Sequence, residues 1–108
     1  MEVLRYVTAS GKDVFGGWVA GLRDARTAAK IMVRVDRFAA GNFGDCRPLR
    51  DGVQELKINW GAGYRVYYAM IGRGRVLLLC GGDKSDQPSD INRAVEHFRD
   101  YRRRTHKP

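Results

Sequence analysis

Between Val53 and Cys80 three runs of β-forming residues follow one another: Val53 to Asn59, Tyr64 to Met70 and Val76 to Cys80. Gly61-Ala62-Gly63 separates the first two, and Gly72-Arg73-Gly74 the second pair. Runs of this length joined by Gly-rich breakers read as an antiparallel meander. Side chains on a strand alternate between faces. Leu56 and Ile58 therefore share a face in the first run, and Val66 and Tyr68 in the second. The opposite face carries Glu55, Lys57, Arg65 and Tyr67. The third run is apolar throughout, so it is expected to be interior and buried on both faces. The pattern predicts a sheet with one apolar face and one polar face, and Lys84 follows in the Gly-Gly-Asp-Lys turn after its last strand.

The other segments are arranged around this meander. Val3 to Val7 alternates as a first strand and ends at Ser10-Gly11. From Lys12, the residues Val14, Phe15, Trp18, Val19 and Leu22 recur at helical spacing, although Gly16-Gly17 weakens that helix in isolation. Asp24 is a natural N-cap for a second helix. Its apolar stripe is Ala28, Ile31, Met32, Val35 and Phe38, with Arg26, Lys30, Arg34 and Arg37 elsewhere on its surface. Gly41 or Asn42 supplies the stop. Gly44 to Leu49 reads as a short edge strand, because Pro48 lacks a donor. Ser85 or Asp86 caps a last helix with Pro88 in its first turn, and the tail from Arg102 to Pro108 is expected to fray. The order β-α-α-β-β-β-β-α predicts a single α+β domain over residues 1–108, a helical hairpin packed on an antiparallel-rich sheet and a C-terminal helix.

Composition narrows the partners. The chain has 20 Lys and Arg against 12 Asp and Glu, a net charge of +8. Such an excess on a small domain points to polyanions, whether nucleic acid, ribosome or an acidic protein. No run approaches the roughly eighteen apolar residues of a membrane span, and MEVLRYV lacks the layout of a signal peptide, so a cytoplasmic protein is expected. Cys46 and Cys80 read as reduced thiols, and no CxxC or HxxxH spacing suggests a metal, so neither metal nor cofactor is expected.

RNA cleavage by internal attack requires a proton to leave the 2′-hydroxyl, charge to be neutralised on the phosphorane, and a proton to reach the 5′-oxygen. His97 and His106 lie off the meander and read as surface histidines. The candidates are therefore cations. Arg65, mid-strand on the polar face, has a planar fork suited to phosphate; its structural alternative is a pairing with Glu55 across the sheet. Lys57 shares that face and, among other cations, can act as acid or base; alternatively it is an exposed strand lysine. Lys84 sits in a Gly-rich turn that can approach a substrate. Arg47 on the short strand is placed for a neighbouring phosphate, and Tyr67 on the polar face for RNA contact. Glu55 is either a general base or a screen for the cations.

ELKI, GAGYRVYY and LLLCGGDKSDQ, with a closing helix, resemble the RelE/ParE superfamily of bacterial toxins, in particular its HigB-like branch of addiction module killer proteins. FGGW, DARTAAKI and GNFGDCRPL extend the resemblance over nearly the whole chain. It implies the compact RelE-like fold and a ribosome-dependent mRNA endonuclease, an mRNA interferase that inhibits translation as the toxin of a type II toxin-antitoxin module. Lys57, Arg65 and Lys84 fall where the family carries its basic residues, whereas Glu55 stands where some members carry another cation. The implied partners are a cognate antitoxin, typically a HigA-like helix-turn-helix protein, the ribosome with mRNA, and operator DNA through the antitoxin complex, with no membrane. Two other functions share these features: a ParE-like poison of DNA gyrase, and a non-catalytic module that binds nucleic acid or protein.

Overall fold

The computed structural model describes residues 1–105. Its elements are β1 (Glu2–Arg5), α1 (Val14–Ala20), α2 (Ala25–Ala39), β2 (Cys46–Pro48), β3 (Val53–Ile58), β4 (Tyr64–Gly72), β5 (Arg75–Asp83), a 3-10 turn (Lys84–Asp86) and α3 (Gln87–Thr105). They form one five-stranded sheet in the order β1-β5-β4-β3-β2. The β2 to β5 pairings are antiparallel and β1 runs parallel to β5. This is the expected α+β architecture. The apolar third run lies inside the sheet, between β1 and β4, and β2 is an edge strand.

Local chemistry sets the helix ends. Asp24 accepts from the Arg26 amide and starts α2, as expected of an N-cap. Asp13 plays the same part for α1 through the Gly16 amide. The Gly16-Gly17 pair is tolerated because α1 is held by packing rather than propensity: its Phe15 is fully buried. Past α2 the chain turns at Gly41, at φ 100°, a conformation that glycine adopts without a steric penalty.

The apolar sheet face packs on the helical hairpin as the alternation requires. Leu56, Ile58, Val66, Tyr68, Val76 and Leu78 meet Phe15, Ile31, Val35 and Phe38 in one cluster. The other face departs from expectation. It is not an open polar surface, because α3 lies across it and builds a second core. Val53, Tyr67, Ala69, Leu77, Leu79 and Cys80 pack there against Ala94, Val95 and Phe98. A bulge makes this possible. Tyr67 pairs with Cys80 but Tyr68 pairs with Leu78, so Leu79 has no partner and both Leu79 and Cys80 join the α3 side. Two glycines of β5 let the layers close. A Cβ at Gly81 would stand 2.3 Å from the Trp18 ring, and one at Gly82 would stand 2.0 Å from an Asp90 carboxylate oxygen.

The C-terminal segment also differs. Instead of fraying from Arg102, α3 continues to Thr105. Arg104 donates to the Val7 carbonyl at 2.5 Å and Tyr6 donates to Asp100 at 2.5 Å, which ties the last turns to the chain after β1. Residues 106–108, the rest of that tail and His106 among them, lie outside the described residues.

Candidate functional site

The pleat and register of β3 and β4 assemble the site. Lys57 stands directly opposite Arg65, and Glu55 opposite Tyr67 and, on its other side, Arg47. Like charges facing each other across a sheet are unfavourable, and Arg65 turns instead to the diagonal neighbour. Its Nε donates to Glu55 Oε1 at 2.5 Å. Arg47 Nε donates to Glu55 Oε2 at 2.6 Å, and Gln87 Nε2, from the start of α3, reaches Glu55 Oε1 at 3.1 Å. Glu55 is only 2% exposed and accepts all three bonds. The Glu55 carboxylate holds the Arg47 guanidinium above its ordinary pKa.

The buried carboxylate thus fixes two guanidiniums in different settings. Arg47 is open to solvent, whereas Arg65 is 8% exposed. Arg65 Nη1 is buried and has no hydrogen-bond partner among the described residues, an expensive state for a charged donor. Arg65 lines a cleft of about 350 Å³ together with Lys57, Lys84, Asn59, Trp60 and the Gly61-Ala62-Gly63 loop. A second hollow of about 150 Å³ continues from it past Lys57 and Arg65 to Arg47, Glu55 and Asp45. Lys57 and Lys84 are both exposed at the rim. The Lys84 amide donates to the Gly63 carbonyl at 3.2 Å, which ties the turn after β5 to the loop between β3 and β4. Residues 27 positions apart are thereby brought to one opening.

Lys57, Arg65, Lys84, Glu55 and Arg47 therefore converge on one side of the sheet. Tyr67 does not join them. It is 0% exposed, beneath α3, and its hydroxyl is buried without a partner among the described residues. Burial, then the Glu55 charge, pushes its pKa up. The expectation that Tyr67 touches RNA is corrected on that ground: its ring serves the second core. His97 is likewise not a simple surface histidine. It is half-buried and stacked on Tyr6 at 4.6 Å, and burial holds its pKa below the ordinary value. Cys80 is free and buried, its thiol pushed up to about 12 chiefly by burial. Among the described residues no cluster of His, Cys, Asp and Glu could hold a metal, and no helix is long and apolar enough to cross a membrane.

Two contributors were not singled out from the sequence. Gln87 is the third donor to Glu55, and nothing local marks a glutamine at a helix start as reaching a strand. Trp60 lines the cleft, and a signal was present: a large aromatic in the polar, Gly-rich segment Asn59-Trp60-Gly61.

Fold and site together define a small α+β domain that presents a cationic cleft built around a buried carboxylate. No family model matches the chain. It is 48% identical over 80 residues to a protein of Haemophilus influenzae described as an uncharacterized protein, an alignment that covers 74% of this chain and 81% of that one. The chain belongs to the same family as that protein.

Proposed function

We propose that the protein is the toxin of a type II toxin-antitoxin module, a RelE-like, HigB-like ribosome-dependent endoribonuclease that cleaves mRNA. The observation that carries the reading is Arg65, nine-tenths buried on Glu55 and lining a cleft whose other charged groups are Lys57 and Lys84. A pre-organised guanidinium suits a phosphorane, whose charge grows as the 2′-oxygen attacks. Because Arg65 is already oriented by Glu55, little reorganisation accompanies that growth. Lys57 and Lys84 are the titratable groups in the cleft able to exchange protons with the 2′- and 5′-oxygens. Glu55 acts through the arginines. With three donors and almost no exposure it positions Arg65 and Arg47 rather than reaching a substrate hydroxyl. Arg47, at the mouth of the adjoining hollow, takes a neighbouring phosphate.

A cationic nuclease of this kind is harmful to its host. The reading therefore includes a cytoplasmic setting, a cognate helix-turn-helix antitoxin, and operator DNA bound through the complex.

The test is cleavage of ribosome-bound mRNA by purified protein, read by primer extension. Arg65→Ala should lower the cleavage rate by on the order of 10²–10³, with a larger effect on the chemical step than on binding. Arg65→Lys should recover only part, because the fork is lost. Lys57→Ala and Lys84→Ala should each lower cleavage, less than additively with Arg65→Ala. Thermal stability measured alongside separates a folding defect from a catalytic one. Near-wild-type cleavage by folded Arg65→Ala would remove Arg65 from the chemistry, and inhibition of DNA supercoiling without mRNA cleavage by the wild-type protein would overturn the reading.

A further inference from the structure

The cationic cleft does not end at Lys57. Lys57, Asn59 and Trp60 are shared between it and a groove of about 340 Å³ that runs on to α2. There Lys30, Arg34 and Arg37 form the groove's wall, three cations at helical spacing on one stripe, with Asp45 the one acidic residue in the lining. From this continuity we infer that single-stranded RNA entering the cleft continues along α2, its phosphates on Arg34 and Arg37 and a base on Trp60. The inference rests on the reading of the cleft as an RNA site and extends it to a second subsite.

Three observations carry it. Trp60 is half-buried at the junction, its indole N–H donating to Thr27 Oγ1 at 3.2 Å and the Lys30 ammonium standing 4.8 Å from the ring centroid. An aromatic held in place within a cationic groove is the arrangement that retains unpaired bases, because every base has a π-face and stacking tolerates any sequence. Arg34 is held in the groove: Nη1 donates to the Asn42 carbonyl at 2.9 Å, and Nη2 is buried with no partner among the described residues. Gly44 makes room for it, since a Cβ there would stand 1.7 Å from Nη2. Finally, the net charge of the lining favours a polyanion over a cationic or neutral ligand. Continuity with the cleft and the aromatic at the junction favour RNA over an acidic protein segment, which needs neither.

The test is binding of the full chain to a fluorescent single-stranded RNA, 2′-O-methylated so that it cannot be cleaved, and to a duplex of the same length, across a salt series. Single strands should bind more tightly than duplex. Trp60→Ala should weaken single-strand binding about tenfold or more and remove that preference, while Trp60→Phe keeps most of both. Arg37→Ala, an exposed change, should lower the slope of log affinity against log salt by about 0.7, the loss of one phosphate contact on a single strand. Unchanged binding by both Trp60→Ala and Arg37→Ala would overturn the inference. So would equal losses in single-strand and duplex binding on Trp60→Ala, or tighter binding of polyglutamate than of RNA at this face. The two readings fail separately. Normal RNA binding by Trp60→Ala and Arg37→Ala alongside lost cleavage by Arg65→Ala sinks the track alone. Absence of mRNA cleavage by the wild-type protein alongside lost RNA binding by Trp60→Ala and Arg37→Ala leaves the track standing and removes the nuclease.

Discussion

Glu55 is the residue on which both stability and site geometry depend. Its partner Arg65 is nine-tenths buried, so Glu55→Ala leaves a guanidinium without a counter-charge in a low-dielectric setting. The expected loss is about 3–5 kcal/mol, read as a shift of the urea midpoint. Arg47→Ala removes only the exposed half of the network and should cost far less. Equal midpoints for Glu55→Ala and wild type would mean that the pair does not organise the fold. His97 supplies the pH dependence. Burial first, then the Arg93 charge, depresses its pKa below the ordinary 6.5. The unfolded chain recovers that ordinary value and so binds the proton more readily. The His97 contribution is therefore fully present above the unfolded pKa and is lost as pH falls through and below it. Thermal midpoints should drop between about pH 7 and pH 5.5, and His97→Gln should flatten the drop. A wild-type midpoint constant over that range would show that His97 is as solvated folded as unfolded.

At the scale of elements, the sheet carries two cores, one under the helical hairpin and one under α3. Ile58 belongs to the first and Val95 to the second. Ile58→Val should cost about 0.5–1.5 kcal/mol, and Val95→Ala, which removes two buried methyl groups, about 2 kcal/mol. The clusters lie on opposite faces of the sheet, so the double variant should lose the sum to within about 0.5 kcal/mol. Strong coupling would indicate that strain passes through the sheet between them. Gly81 in β5 and Gly74 in the turn before it offer a sharper probe. Gly81→Ala drives a methyl into the Trp18 ring and should cost about 1–3 kcal/mol by overpacking. Gly74→Ala meets no neighbouring atom within 4 Å, so its penalty is that of its φ of 66° alone. Similar losses for the two would argue that the α1 contact with β5 yields easily.

The charge of the whole molecule bears on how fast partners arrive. A net +8 raises the encounter rate with a polyanion, and salt screens it within about 10 Å at 0.1 M. The association rate constant with a single-stranded polyanion such as RNA should therefore fall as salt rises, with a smaller change in dissociation, measurable by stopped-flow fluorescence. A salt-independent association rate would mean that steering plays no part.

What the sequence by itself determined is the local part of this protein. Periodicity, glycine breaks and the Asp24 cap depend on neighbours close along the chain. From them followed the meander, the α+β order, the edge position of β2 and the face shared by Leu56, Ile58, Val66 and Tyr68. That Lys57 and Arg65 share a face was legible too, since it needed only strand alternation, whereas Lys84 reaches their opening through the bond from its amide to the Gly63 carbonyl, which no local pattern shows. Tertiary structure decided the rest. Alternation assigns Tyr67 to the face of Arg65, but it does not say which half of that face a distant helix will cover. The α3 helix covers Tyr67 and leaves Lys57 open, because the bulge at Leu79 and the bare backbone at Gly82 let it settle over β5. The same packing brings Gln87 to Glu55 and turns a strand carboxylate into a buried clamp, a role set by residues 32 positions away and therefore invisible to any local pattern.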